Sequence, residues 1–230
     1  MPTVFITGAN RGLGLEFSKQ YSTLGWKVIA CYRNQENSTD LIRISEETNN
    51  LTPYKLDITN EKEINKLSDY FFEEKFDVLI HNAGIDGNKC EDFGTMDMSD
   101  WVDVMVTNTI SPLLVTQALI DNLKIGKHKT IVGMTSIMAS IDDNQSGGRY
   151  SYRASKAALN QVIRTLSVDL SEEKIKALAI HPGWVQTDMG GINAKITPEE
   201  SVKSMIALIN NCTDADSGSF LLYDGTRLPW

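Results

Sequence analysis

Short apolar runs alternate along this chain with longer stretches in which apolar residues recur every three or four positions, and the two periods separate strands from helices. Val4-Phe5-Ile6 reads as a buried strand. Leu13, Phe17, Tyr21 and Leu24 then recur at helical spacing up to Gly25, a residue suited to a helix C-terminus. Trp26 to Tyr32 predicts a second strand, Asp40 to Thr48 a second helix, and Tyr54-Lys55-Leu56 a short third strand. Asn60-Glu61-Lys62-Glu63 has the form of a capping box for a helix carrying Ile64, Leu67 and Phe71. Asp77 to His81 predicts a fourth strand, Ser99 to Leu123 a long helix, and Thr130 to Thr135 a fifth strand. On the helix that follows, Ala154, Ala157, Ala158, Val162, Leu166 and Leu170 form one apolar stripe. Ile175 to Ile180 and Ser219 to Tyr223 complete the strands; between them a helix spans Pro198 to Asn210, with proline in its first turn behind a Thr197 cap.

Strands alternating with helices require right-handed crossovers and a mainly parallel sheet covered on both faces. The expected fold is α/β: a single doubly wound Rossmann-type domain over residues 1–230 with a seven-stranded sheet. A cofactor half covers about 1–125 and a catalytic, substrate-facing half about 126–230. No internal repeat, low-complexity tract or linker divides it. In such sheets ligands sit beyond the carboxyl ends of the strands, where strand order reverses. Motifs placed just after strands therefore carry the most weight.

The first is Thr7-Gly8-Ala9-Asn10-Arg11-Gly12-Leu13-Gly14, between the first strand and the first helix. Glycines let a backbone turn tightly and approach a pyrophosphate, and a helix N-terminus adds free N–H donors. Gly8, Asn10, Arg11, Gly12, Leu13 and Gly14 are thus candidate dinucleotide contacts, in the spacing T-G-x-x-x-G-x-G rather than G-x-G-x-x-G. The second is Tyr152 with Lys156, one helical turn apart on one face. An ammonium near a phenol favours the phenolate and lowers the tyrosine pKa, a general acid/base design. Tyr150 has only Ala154 at the matching position.

The glycine spacing together with Tyr152-x-x-x-Lys156 resembles the short-chain dehydrogenase/reductase family. Further pieces fall in the family's order: Asn82-Ala83-Gly84 after the fourth strand, Asn108 in the long helix, Ser136 ending the fifth strand, and Pro182-Gly183 after the sixth. Gly148 to Asn160, His181 to Met189 and the final Leu228-Pro229-Trp230 look closest to its C-factor and sniffer-like carbonyl reductase branch. The resemblance implies that Ser136 hydrogen-bonds a substrate oxygen and that Tyr152 exchanges a proton with it as hydride moves. It implies too that Lys156 holds the nicotinamide ribose and lowers the tyrosine pKa, and that Asn108 fixes a water leading from Lys156 to solvent. Thr135 and Ser140 are nearby hydroxyls; Ser136 is preferred for its place at the strand end. His81 stands where the family more usually has the first asparagine of an N-N-A-G turn, and reads as a strand-end cap. The interval from Ser136 to Tyr152 is long, with Gly147-Gly148 suggesting an extra turn.

An acid at the end of the second strand would bind a ribose 2′-hydroxyl, whereas arginine suits a 2′-phosphate. Here the strand ends Cys31-Tyr32-Arg33-Asn34, so Arg33, helped by Arg11, is the expected 2′-phosphate clamp. NADP(H) is the expected cofactor, with NAD(H) second. Asp57 and Ile58 are placed beside the adenine, Asn82, Ala83 and Gly84 along the cofactor, and Ile180, Pro182, Gly183, Val185 and Thr187 at the nicotinamide end. Met138, Trp184 and Met189 are candidates for an apolar substrate pocket, under a mobile, open cover from Gly190 to Ile196. The expected activity is reduction of a small-molecule ketone or aldehyde, or oxidation of the alcohol. The alternative is a C-factor-like sensor that binds the dinucleotide and turns over little.

Composition narrows the partners. The formal net charge is −8 with no basic block, against a nucleic-acid or anionic-membrane surface. No leader is expected before the first strand and no apolar run of membrane-span length. Cys31, Cys90 and Cys212 are far apart and read as free thiols in a cytoplasmic setting; neither they nor His81, His128 and His181 have the spacing of metal ligands. A homo-oligomer, dimer or tetramer, is expected by family analogy.

Overall fold

The computed structural model describes residues 1–87 and 93–230. Its strands are β1 (Thr3–Ile6), β2 (Lys27–Tyr32), β3 (Leu51–Lys55), β4 (Val78–His81), β5 (Thr130–Met134), β6 (Lys176–His181) and β7 (Phe220–Leu222). They form one seven-stranded sheet in the order β3-β2-β1-β4-β5-β6-β7, with every pairing parallel. Strand order reverses at β1, between β2 on one side and β4 on the other. The switch point, and with it the ligand crevice, lies over the carboxyl ends of β1 and β4.

The helices are α1 (Gly12–Thr23), α2 (Thr39–Glu47), α3 (Glu61–Ile64), α4 (Leu67–Tyr70), α5 (Met98–Met105), α6 (Ser111–Lys124), α7 (Tyr150–Asp169) and α8 (Pro198–Asn211). Side chains alternate across a strand, so continuous apolar runs supply both faces. Val4, Ile6, Val132 and Ile180 pack with Phe17 and Tyr21 of α1 and Val202 and Met205 of α8. Phe5, Leu79, Ile131 and Ala179 pack on the other face with Leu119 of α6 and Leu159 and Ile163 of α7. Each such leucine or phenylalanine taken fully from water contributes about 2 kcal/mol before cavity effects.

Three elements differ from the sequence expectation. β3 begins at Leu51 and takes in Pro53; as an edge strand it can carry a residue without an N–H donor. The single helix expected after Asn60 is two short ones, α3 and α4. Asn60 caps Lys62 N at 3.1 Å, but the Glu63 carboxylate accepts from Asp57 N at 2.8 Å, so the capping box is not closed. The box closes instead at Thr197, which exchanges hydrogen bonds with Glu200 at the start of α8. The long helix is helical from Met98 to Lys124 but carries a π turn, Val106–Ile110, between α5 and α6. By length and a mean hydropathy of 1.2 it could span a membrane, contrary to the expectation that no run would; half of that window is buried inside the fold. Cys31 is a buried free thiol and Cys212 a half-buried one; Cys90 lies outside the described residues.

Candidate active site

The turn after β1 is shaped by what crowds it. Gly8 has φ +64°, and a Cβ there would stand 2.7 Å from Ala83 Cα. Asn82 reaches under the turn, its Nδ2 donating to the carbonyls of Thr7 at 3.1 Å and Gly8 at 2.9 Å. Thr7 Oγ1 accepts in return from the N–H groups of Asn82 and Ala83, both at 3.1 Å. The turns after β1 and β4 are thereby one unit. α1 then starts with no side-chain cap and no acid in its first turn. Its N-terminal N–H groups and partial positive charge face the ligand crevice through Gly12 and Leu13.

A cleft of about 540 Å³ opens here. It brings together Gly8, Asn10, Arg11, Gly12, Leu13, Arg33, Asp57, Ile58, Asn82, Ala83, Gly84, Tyr152, Lys156, Pro182, Thr187 and Met189. Gly14, Asn108, Ser136, Gly183, Val185, Met138 and Trp184 do not border it. Gly14 lies beneath the turn, 2.2 Å from the Gly8 carbonyl oxygen for an added Cβ. Val185 is buried and pairs with Ile196, whose side chain also crowds Gly183, so both hold the cover rather than the cleft wall. The sequence reading missed Asn34, Asn37, Leu56, Thr59, Ile85, Thr107, Met134, Thr135 and Asp188 as lining residues. For Asn34 and Asn37 the signal was their position just past β2.

Tyr152 is 8% exposed, on the first turn of α7, with the Ser136 hydroxyl close enough to favour its ionised form. Ser136 is fixed in turn, its hydroxyl accepting from Met138 N at 3.1 Å. Lys156 Nζ lies 5.8 Å from the Tyr152 ring centroid and donates to the Met134 carbonyl at 2.8 Å. Burial pushes the lysine down to about 8 from 10.5. Burial pushes the phenol up, opposed by the Ser136 hydroxyl and then by the charge of Arg149. A tyrosine lowered by Lys156 was the expectation; desolvation outweighs the stabilising groups, and the charge that opposes it belongs to another residue.

Asn108 is fully buried in the π turn. Its Oδ1 accepts from Ile85 N at 2.8 Å, and its Nδ2 donates to Ile85 O at 2.8 Å and Ser155 Oγ at 3.0 Å. Both amide hydrogens are committed to joining the loop after β4 to α7. His81 ends β4, but its ring is buried against α6, with Nε2 2.8 Å from Thr116 Oγ1, and burial lowers its pKa to about 4. It is a core residue rather than a strand-end cap. His181, at the end of β6, has a buried Nδ1 without a hydrogen-bond partner and is also lowered to about 4 by burial.

At the nucleotide end no acid stands at the tip of β2; Arg33 takes that place, lines the cleft and is exposed. Arg11 is not turned to it. Its Nη1 pairs with Asp188 Oδ2 at 2.9 Å, joining the glycine turn to the segment after β6. The cover expected to be loose is fastened: Gln186 N donates to Ile196 O at 2.9 Å, Lys195 N to Trp184 O at 3.0 Å, and Trp184 Nε1 to Gly190 O at 2.7 Å. Its tip, Ile192, is 91% exposed. Among the described residues no three metal-ligating side chains converge.

The family model for short chain dehydrogenase matches residues 2–197. C-signal of Myxococcus xanthus is 42% identical over 154 residues, 67% of this chain and 92% of that protein. The carbonyl reductase Sniffer of D. melanogaster superposes with a TM-score of 0.93 at 32% identity, over 100% of both chains. The NADPH-bound carbonyl reductase from chicken fatty liver superposes with a TM-score of 0.92 at 32% identity, over 100% of this chain and 99% of that one. The chain belongs to the short-chain dehydrogenase family of oxidoreductases.

Proposed function

We propose that this protein is an NADPH-dependent carbonyl reductase that reduces a small ketone or aldehyde, or runs the reaction backwards on the alcohol. The observation that carries the reading is Tyr152 with the Ser136 hydroxyl and Lys156 beside it, at the edge of a cleft whose glycine turn has no room for a Cβ at Gly8. A dinucleotide fits that cleft: the backbone turn permits close approach, and the uncapped start of α1 favours a pyrophosphate. Arg33 at the far end, with no acid beside it after β2, favours a 2′-phosphate. The NADPH bound to the chicken carbonyl reductase supports the same choice.

NADP(H), when bound, supplies the hydride. Tyr152 gives its phenolic proton to the substrate oxygen, and Ser136 donates a hydrogen bond to that oxygen as negative charge develops. Lys156, drawn to the Met134 carbonyl, presents a cation beneath the phenol and a donor to the ribose. Asn108 holds the loop that carries Gly84 and Ile85 against α7.

Purified protein should oxidise NADPH in the presence of at least one diketone, quinone or aldehyde, and Tyr152→Phe should abolish turnover while leaving cofactor binding within a few-fold. Turnover surviving that substitution would sink the mechanism. The likeness to C-signal favours a second reading, a dinucleotide-dependent sensor. It is distinguished by tight cofactor binding, no turnover across the same panel, and a partner whose binding follows the nucleotide's redox state.

A further inference from the structure

The chain enters α7 in an unusual way. Gly147, Gly148 and Arg149 follow one another at φ values of 65°, 64° and 54°, all in the left-handed region. Glycine adopts that region freely, whereas a residue with a Cβ loses stability there, so something must hold Arg149 in place. Two contacts do. Its Nη2 is paired with Asp86 Oδ1, and its Cζ stands 5.5 Å from the centroid of the Tyr152 ring. The pair is largely withdrawn from solvent, at 26% and 13% side-chain exposure, where charge is poorly screened. Asp86 cannot easily move away. Ile85 before it is bonded twice to Asn108, and at Gly87 after it an added Cβ would stand 2.8 Å from Val104 Cγ2.

We propose that Arg149 is a positioning residue for the phenol of Tyr152: its charge, partly neutralised by Asp86, sets how readily Tyr152 releases its proton. The proposal rests on the reading of Tyr152 as proton donor. Among the described residues the other charged or titratable groups on this side are few. Lys156 approaches from α7, 5.8 Å from the ring centroid, with its Nζ drawn to Met134 O. Asp100 of α5 lies behind Gly87, beyond Asp86. Ser136, after β5, brings a hydroxyl, and His81 of β4 is kept neutral near pH 7 by burial. Burial drives the phenol upward, and after the Ser136 hydroxyl it is Arg149, 5.5 Å from the ring centroid, that opposes it.

Two substitutions in one ion pair should then act in opposite directions. Arg149→Gln removes the cation and makes the phenol harder to ionise. Asp86→Asn leaves the cation without its counter-charge and makes the phenol easier to ionise. A pair that only braced the loop would give shifts of the same sign, or none. The measurement is the tyrosinate absorbance titration of the full chain, taken as the difference between each variant and its Tyr152→Phe counterpart, which needs no turnover. The Tyr152 midpoint should rise by about one pH unit in Arg149→Gln and fall by a similar amount in Asp86→Asn. Arg149→Lys, which keeps the charge, should return most of the way to the parent value and guards against a variant that merely misfolds. Midpoints that move together, or do not move in folded variants, overturn the proposal. If they move oppositely while no carbonyl is reduced, the electrostatic role stands and the reductase reading falls.

Discussion

Gly14 and Asn82 are packed so closely that a Cβ on Gly14 would lie 2.5 Å from Asn82 Nδ2, the atom that also holds the carbonyls of Thr7 and Gly8. Gly14→Ala should therefore disturb the turns after β1 and β4 together, although its own φ is unremarkable for a helix. Overpacking of this kind costs about 1–3 kcal/mol. Urea unfolding should show a lower midpoint with an unchanged m-value, and cofactor affinity should fall with it. An alanine variant as stable and as tightly bound as the parent would refute the wedge.

Arg33 decides between the two nicotinamide cofactors if its charge meets a 2′-phosphate. A hydrogen bond to a charged group contributes about 1.5–3 kcal/mol. Arg33→Ala should weaken NADPH by roughly 10- to 100-fold while NADH changes little. Calorimetric titration with each cofactor provides the check, and equal losses would remove the clamp.

Asn108→Ala should destabilise the fold as well as slow it. The substitution leaves the N–H and carbonyl of Ile85 without their side-chain partner beside a buried helix. Each buried group left unpaired costs about 1–3 kcal/mol. The expected result is a lower thermal midpoint together with a fall in kcat, and an activity loss at unchanged stability would mean that the amide does not brace this loop.

Acid sensitivity should come from two imidazoles, the buried ring of His81 and that of His181, which is enclosed at Nδ1. His81 and His181 have folded pKa values near 4, below the ordinary 6.5, so the unfolded chain binds protons first as pH falls. Their contribution is complete above about pH 6.5 and is lost progressively toward about pH 4, by up to roughly 1.4 kcal/mol per pH unit for each ring. Urea midpoints near pH 7 and near pH 5 should differ strongly in the parent, and less in His81→Gln. A His81→Gln variant as acid-sensitive as the parent would place the linkage elsewhere.

What the sequence disclosed was whatever its own spacing encodes. The glycine turn and the Tyr152–Lys156 turn are contiguous, and the strand-helix alternation predicted both the sheet and the side of it on which ligands sit. Contacts between remote positions were out of reach. Arg11 meets Asp188 across 177 residues and Arg149 meets Asp86 across 63, so neither arginine's partner could be read locally. The same limit explains the direction of the Tyr152 shift. Helical spacing placed Lys156 nearby, but the desolvation that raises the phenol comes from packing by several elements. The start of β3 at Leu51, two residues before Pro53, was out of reach for a related reason, because only the sheet order reveals that this strand is an edge.

The position of β1 also governs when the sheet can be finished. Its partner on one side, β2, follows closely, with Phe5 opposite Ile29, but on the other side Phe5 pairs with Leu79 of β4. During synthesis the growing chain therefore carries a central strand with one bare edge until β4 has cleared the ribosome. Such an edge is a template for pairing with another chain. Variants that slow the docking of β4, Asn82 and Asn108 substitutions among them, should aggregate during expression out of proportion to their loss of equilibrium stability.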